Sequence, residues 1–512
     1  MTSTLPGGDS VNRTMVTVSI MLATVMQTLD MTIANVALPH MQGSMSATQD
    51  QIAWVLTSYI VAAAIMTPPI GYLSARFGRK RMFMISVAGF TLVSMLCGAA
   101  TSLPEMVVFR LLQGAFGAGL VPLSQSVILD TYPREKHGQG MAMWGIGVMV
   151  GPILGPTLGG ILTEFYNWRW VFYINVPFGL LALLGIMTFV PETEREKRPF
   201  DWFGFTLLSL AIGALQMTFD RGQSQDWFSS NEIVFEALAG GLFLYLFLVH
   251  MFTAKRPFID PALFKDRNLV LGLVFIFIMG IVLLATLALL PPYLQNLAGY
   301  PVITTGFVLA PRGIGTMFAM MLVGRLINRI DARFLILFGF SVASISVWEM
   351  SRFTADISIW TIVHTGITQG LGLGFIFVPL STIAFATLAP RFRTEAASMF
   401  SLMRNIGSSI GISIMVTLLA QNIQINHAVL SESITPYNAA LKQAGAFWDP
   451  STTTGAFALN AELTKQAAVI AYSNDFILML WILLAIIPLV MLLRRPGQQN
   501  EKVDDKMDAV LE

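Results

Sequence analysis

Five charged side chains stand inside long apolar stretches of the chain: Asp30, Arg110, Arg312, Glu349 and Arg404. An ionised group at the centre of a hydrocarbon layer costs on the order of 2.5–3.5 kcal/mol or more, so each needs a reason. Asp30 lies within Leu29-Asp30-Met31-Thr32-Ile33-Ala34-Asn35. Desolvation favours the neutral form of a carboxyl group, and an acid so placed is suited to proton exchange. The competing reading is structural, a hydrogen bond or cap at a kink near Pro39. Arg110 precedes Gln113-Gly114. A buried guanidinium needs acceptors, and a carboxylate on the first apolar segment is one candidate; snorkelling to an interface is the alternative. Arg404 and Glu349 fall near segment ends, where snorkelling explains them equally well. Arg312, in Ala310-Pro311-Arg312-Gly313, is a candidate for lining a cavity. Asn35 and Gln113 are further polar candidates for that lining. Trp54, Tyr59, Trp144, Tyr293 and Phe375 are the aromatic ones, although such rings also face lipid or pack.

Other chemistries find little support. Cys97 is the only cysteine, which excludes an internal disulfide and a thiolate metal site. His40, His137, His250, His364 and His427 are scattered without ligand spacing, and no G-x-x-x-x-G-K-[ST] loop occurs. No cofactor is expected, and a proton gradient is the natural drive. A membrane enzyme such as a lipid transferase would need a buried His/Asp/Glu cluster, which the chain does not offer. The charges nearly cancel, 31 Lys+Arg against 30 Asp+Glu, and give no hint of a nucleic-acid partner.

The elements that hold these residues must be membrane helices. The chain has 512 residues, 54% hydrophobic and 12% charged, against roughly 25% charged in soluble proteins. Spans of about 20 residues account for a little over half the chain if there are about fourteen. Backbone polar groups in hydrocarbon force each span to be helical. Fourteen helices are expected to begin near Met15, Ile52, Met82, Glu105, Gln139, Trp170, Phe203, Ile233, Leu269, Thr304, Phe334, Ile357, Glu395 and Ala471. The first apolar run, 15–38, is too long for a signal-peptide core.

Orientation follows from the basic residues. Alternate loops hold Arg76/Arg79/Lys80/Arg81, Arg134/Lys136, Arg195/Lys197/Arg198, Lys255/Arg256/Lys265/Arg267, Arg325/Arg329/Arg333, Arg391/Arg393 and Arg494/Arg495. Opposite loops around 40–51, 101–105 and 292–301 hold none. Both termini are therefore expected in the cytoplasm. The segment 421–470 falls on the outer side, with helix formers at 438–446 and 461–468 around Trp448-Asp449-Pro450. It reads as a solvated two-helix hairpin or as a docking platform for a partner.

Three motifs recur in the same order. Gly71-x-Leu73-x-x-Arg76 returns as Gly324-x-Leu326-x-x-Arg329. Gln113-Gly114 with Val121-Pro122-Leu123-Ser124 returns as Gln369-Gly370 with Val378-Pro379-Leu380-Ser381. Gly151-x-x-x-Gly155 returns as Gly407-x-x-x-Gly411. Two parallel six-helix halves with two extra helices between them explain the offset, and such repeats suit alternating access. The counterpart of Asp30, near Thr286, is not acidic, so coupling is expected to be asymmetric.

Two motifs point to conformational parts. Gly151-Pro152-Ile153-Leu154-Gly155-Pro156-Thr157-Leu158-Gly159-Gly160 combines close-packing glycines with helix-bending prolines. It reads as tight packing, and further as a kinked interface helix that controls leakage between the halves. The turn Gly71-Tyr72-Leu73-Ser74-Ala75-Arg76-Phe77-Gly78-Arg79-Lys80-Arg81 reads as a positive anchor or as a latch engaged in one conformation only.

Together these motifs resemble the major facilitator superfamily, and within it the fourteen-helix drug:proton antiporters. Asp30-Met31-Thr32-Ile33-Ala34-Asn35-Val36-Ala37-Leu38-Pro39 is similar to their first-span motif. Positions 71–81 resemble the loop between helices two and three, and 151–160 the fifth-span antiporter motif. Arg110-Leu111-Leu112-Gln113-Gly114 resembles the fourth-span motif, whose arginine the resemblance implicates in proton transfer. Trp168-Arg169-Trp170-Val171-Phe172-Tyr173-Ile174-Asn175-Val176-Pro177 matches this branch's sixth-span entry. Asp220-Arg221-Gly222, Asp226-Trp227-Phe228-Ser229-Ser230 and His427-Ala428-x-Leu430-x-Glu432-Ser433 look most like EmrB-type permeases.

The resemblance implies an all-α polytopic fold: a tail at 1–14, a six-helix bundle at 15–190, and a linker at 191–268 with two extra spans. A second bundle follows at 269–493, including the 421–470 loop, and then a tail at 494–512. It implies antiport of lipophilic drugs for protons in the inner membrane, with a periplasmic membrane-fusion adaptor and a TolC-like outer-membrane channel as partners. Uptake of a small organic solute by proton symport is the alternative, and Pro191-Glu192-Thr193 does resemble sugar porters. Ala75 departs from the family pattern, which has an acid there, so Arg76 is expected to find another partner.

Overall fold

The structure is a computed structural model that describes residues 2–4, 10–193, 195, 199–255, 257–435, 448–449 and 452–494. Among the described residues, thirteen helices are long and apolar enough to cross a membrane, and a bent pair makes a possible fourteenth. Two three-residue strands, Thr2–Thr4 and Ser10–Asn12, pair antiparallel ahead of them.

The first half comprises α1 (Arg13–Ser44), α2 (Gln49–Met66), α3 (Ile70–Phe77), α4 (Arg79–Ala99), α5 (Leu103–Gly117), α6 (Leu120–Thr131), α7 (His137–Phe165), α8 (Trp170–Tyr173) and α9 (Asn175–Phe189). The bent pair is α2 and α3, 58° apart. Two further helices follow, α10 (Trp202–Arg221) and α11 (Asn231–Thr253). The second half comprises α12 (Arg267–Pro292), α13 (Val302–Leu309), α14 (Pro311–Leu326), α15 (Ala332–Met350), α16 (Ile359–Ala386), α17 (Arg393–Ser431) and α18 (Thr453–Ile486).

Polar side chains at the ends stop fraying. Thr48 and Gln51 form a reciprocal capping box on α2, and Asp201 and Asp266 accept from the first-turn amides of α10 and α12. The helices then pack in matching pairs. α1 lies on α7 as α12 lies on α17, α2 on α5 as α14 on α16, and α4 on α9 as α15 on α18.

The extra pair α10–α11 joins the halves along one side. Thr57 of α2 hydrogen-bonds Asp220 of α10. Gln216 donates to Ser409 of α17 over 2.7 Å, Ser413 donates to the Phe219 carbonyl, and Trp227 donates to Thr417.

The expected helix starts fall within three residues of those observed, apart from the last. A membrane helix was expected from Ala471 after a separate hairpin, whereas α17 runs on to Ser431 and α18 begins at Thr453. Positions 461–468 are one continuous helix with the span. The polar extensions hydrogen-bond each other, His427 to Asn460 at 3.0 Å, and Thr452 caps the start. Segment 438–446 and Pro450 lie outside the described residues, as do Lys197, Arg198, Arg256 and Arg495 of the basic loops, residues 1 and 5–9, and the C-terminal tail beyond 494.

Candidate functional site

α1 must carry a carboxylate through the interior of the first half, and four neighbouring elements accommodate it. Asp30 is 1% exposed. Arg110 of α5 donates from Nη1 to Asp30 Oδ2 over 2.8 Å, and Gln113 and Asn175 donate to Oδ1 over 3.0 and 2.7 Å. Arg110 also donates from Nε to the Val55 carbonyl of α2 and from Nη1 to Gln113 Oε1. Tyr59 spreads its ring under the guanidinium, 4.3 Å from the ring centroid. The i, i+3 spacing of Arg110 and Gln113 puts both on one face of α5, and Gly114 lets that face approach the Tyr59 carbonyl closely. Asn175 reaches the site because it opens α9, and Ser94 fixes its amide.

A buried pair of this kind is held together by geometry and by saturated donors, since desolvation consumes much of its Coulomb energy. A proton arriving on Asp30 would remove one charge and leave Arg110 to its carbonyl and amide acceptors.

One repeat later the frame persists and the charges do not. Gln369 donates to Thr286 Oγ1 over 3.4 Å, where Gln113 meets Asp30. Gly370 lies against the Arg312 carbonyl as Gly114 lies against that of Tyr59. Arg312 is 7% exposed, donates from Nη2 to the Leu283 carbonyl over 3.3 Å, and leaves Nη1 buried without a partner.

The end of the molecule bearing the basic loops is closed by a second set of charges. Asp130, at the end of α6, pairs with Arg79 at the start of α4 and with Arg393 of α17, the latter at 2.7 Å. Arg393 also donates to the Leu129 carbonyl, and Ser126 and Thr394 share a 2.7 Å hydrogen bond. Gly78 turns the chain between α3 and α4 at φ +90°, a conformation that favours glycine. Thr193 then accepts from the Arg79 amide, which gives the 191–193 motif a structural task. Gly71 abuts the backbone of Glu395 in the other half. Gly324, its repeat, faces Ala142 of α7. Arg76, lacking the usual acid, donates to Tyr72 Oη at 2.9 Å.

The glycines of α7 seat α1. Gly151 faces Thr28, Gly155 faces Thr32, and Gly159 faces Val36 and Ile33; Gly160 faces open space. Thr32 donates to the Gly151 carbonyl. Pro152 and Pro156 lie within one unbroken helix. The other face of α7 meets the second half, where Ile153 lies against Gly313 and Gly145 against Met320.

The aromatic residues expected to line a single cavity are not brought together. Tyr59 is packed behind Arg110, and Tyr293 packs on Tyr472 and Phe353. Phe375, itself buried, packs edge-on against Phe338 of α15, which is 53% exposed. Trp54 lies half-buried beside Arg221, and Asn35 is exposed. Only Trp144 sits between the halves, stacked on Phe377 at 5.8 Å and donating to Ser124. The reason is that each ring faces whichever neighbour its own helix packs on, which residue type does not specify. Three polar residues were not singled out in advance. Asp130 and Asp475 lay close to expected helix ends, where charge is unremarkable, and Asn175 was noted only as part of a motif. A buried acid on α18 is visible in sequence only once that helix is known to start at Thr453.

This architecture is that of a membrane transporter. The family model described as Major Facilitator Superfamily matches residues 20–412, and the chain belongs to that superfamily. It is 36% identical over 486 residues to the fatty acid resistance protein FarB of Neisseria gonorrhoeae, covering 94% of this chain and 96% of the relative. It is 34% identical over 489 residues to the multidrug export protein EmrB of Escherichia coli (strain K12), covering 94% and 95%. Within the superfamily it is of the EmrB type, and it is a multi-pass membrane protein. The human organic anion transporter MFSD10 shares its fold with a TM-score of 0.60 at 14% identity, over 92% of this chain and 99% of that one. The proton:xylose symporter XylE does so at 0.59 and 14%, over 93% and 96%.

Proposed function

We propose that the protein exports hydrophobic or amphipathic drugs and toxic compounds across the cytoplasmic membrane in exchange for protons. The observation that carries this reading is the buried Asp30–Arg110 pair, in which a single proton would neutralise the carboxylate and dissolve the ion pair. The names of its relatives, multidrug export and fatty acid resistance, support the direction and the lipophilic character of the cargo. The basic end is the cytoplasmic one, with both termini there, in keeping with the loop charges. The Asp130 cluster ties the two halves together on that side. Protonation of Asp30 from outside accompanies substrate release, and its deprotonation toward the cytoplasm resets the carrier. Trp144, between the halves, and Arg312 are the best-placed candidates for substrate contact.

Asp30→Asn keeps the shape and one acceptor oxygen, for Arg110 or for the amides, while removing the proton site. It is expected to insert normally and to lose acid-driven accumulation of ethidium in everted vesicles. Full accumulation by that variant overturns the coupling role. Accumulation by right-side-out vesicles instead would mark an importer. The helical extensions of α17 and α18, with the segment joining them, are proposed to dock a periplasmic adaptor leading to an outer-membrane channel. Shortening that segment should abolish resistance in cells and spare vesicle transport.

A further inference from the structure

The acid that the first span displays is saturated, and an acid in the last span is not. Asp475 of α18 is 1% exposed, and its Oδ2 has no hydrogen-bond partner among the described residues. One turn earlier, Tyr472 packs edge-on against Tyr293, with centroids 5.1 Å apart. The Tyr293 hydroxyl is buried and unpartnered as well. Phe353 and Phe476 close the surrounding wall.

The helices packed on α18 are α12, α15 and α17. From the end of α12 comes Tyr293. α15 carries Glu349, which is engaged by Thr365 at 3.2 Å and His364 at 3.6 Å; Arg352, in the turn just after it, lies over Trp348. α17 carries Arg404 within the span and Arg393 in the latch. Among the described residues, none of these cations forms an ion pair with Asp475.

An unpaired carboxylate in such surroundings is penalised by several kcal/mol. A carboxyl group escapes that penalty by binding a proton. Asp30 has no such need, since three side chains donate to it. Asp475 also lies on the far side of the molecule from the latch. α18 enters from the end opposite the basic loops, and Tyr293 adjoins the turn at 298–301 on that end.

We infer that Asp475 is a second proton-binding site of this carrier, loaded from the side opposite the basic loops while the Asp130 latch is closed. The carboxylate takes a proton from water on that side to become a neutral carboxyl group, and gives it back when rearrangement of α18 against α12 and α15 opens the pocket. No other bond changes. The inference builds on the proton-driven reading above, and its test separates the two.

The full chain is purified into phosphatidylcholine nanodiscs, and infrared difference spectra are taken between acid and alkaline buffer. Wild type should show a protonated-carboxyl carbonyl band that Asp475→Asn removes, Asp475→Glu shifts and Asp30→Asn retains. In a parallel titration Asp475→Asn should release about one proton fewer per chain than wild type. A band and proton count unchanged in Asp475→Asn overturn the inference, whatever that variant does in transport. If Asp475→Asn aggregates on size exclusion, Asp475→Glu decides alone: a displaced band with the full proton count supports the site, and an undisplaced band overturns it. If the band and count behave as stated but wild type accumulates no ethidium under an acid gradient, the exporter reading fails and the site stands.

Discussion

The two halves of the molecule share a scaffold and differ in how they settle their charges. Gln113 meets Asp30 in one half, and Gln369 meets Thr286 in the other. The residue one repeat on from Arg110 is Gly366, which leaves room for Arg312 from the neighbouring helix. Among the described residues, the buried Asp30 and Arg110 of the first half pair with each other, whereas the buried Arg312 on α14 and Asp475 on α18 form no ion pair. The comparison teaches that a repeat preserves what packing demands, a glycine against a carbonyl or a small residue against a turn. It leaves open what chemistry fills the pocket.

Breaking the saturated half should have the largest effect. Arg110→Ala leaves Asp30 as an uncompensated buried carboxylate, and loss of one partner of such a pair costs about 3–5 kcal/mol. We expect little folded protein on fluorescence size exclusion, with yield restored in part by Asp30→Asn in the same chain. Normal yield and melting temperature for Arg110→Ala would show that the pair does not hold the first half together.

The unsaturated half should answer with the opposite sign. Arg312→Met removes a guanidinium with one long carbonyl contact and fills similar volume with an apolar chain. Replacing buried charge in this way is neutral or stabilising by about 1–4 kcal/mol, so the thermal midpoint should hold or rise. A clear fall would mean that Arg312 has a structural partner in solution, and the contrast between the halves would weaken.

The smallest effect on stability is expected where the halves meet. Asp130→Asn removes the anion shared by Arg79 and Arg393, but a third of its side chain is exposed. Solvent-accessible pairs contribute about 1 kcal/mol or less. The change should therefore appear in conformation: faster thiol labelling of a cysteine placed at Ser126 when Asp130 is replaced. Labelling unchanged by Asp130→Asn would show that the Gly71–Glu395 contact closes this end without the shared anion.

Much of this was legible in the chain itself, for identifiable reasons. Helix existence follows from apolar length, because hydrocarbon admits no unsatisfied backbone. The pairing of Asp30 with Arg110 was foreshadowed because two opposite charges in apolar helices have few other options. The aromatic cavity was not, since Phe375 and Tyr293 are apolar enough to point anywhere. The long outer segment was misjudged because α17 and α18 project past the apolar runs as polar, exposed helices, and hydropathy stops where they do not.

The sequence by itself determined that the chain spans a membrane many times, that its halves repeat, and that Asp30 and Arg110 need partners. These are consequences of desolvation, which acts on each residue wherever the fold places it. Only the tertiary structure decided that Asn175 completes the Asp30 site, that Asp130 is shared by arginines of both halves, and that Asp475 is left alone. Those outcomes depend on which helix faces meet across many intervening residues, and residue type carries no record of that.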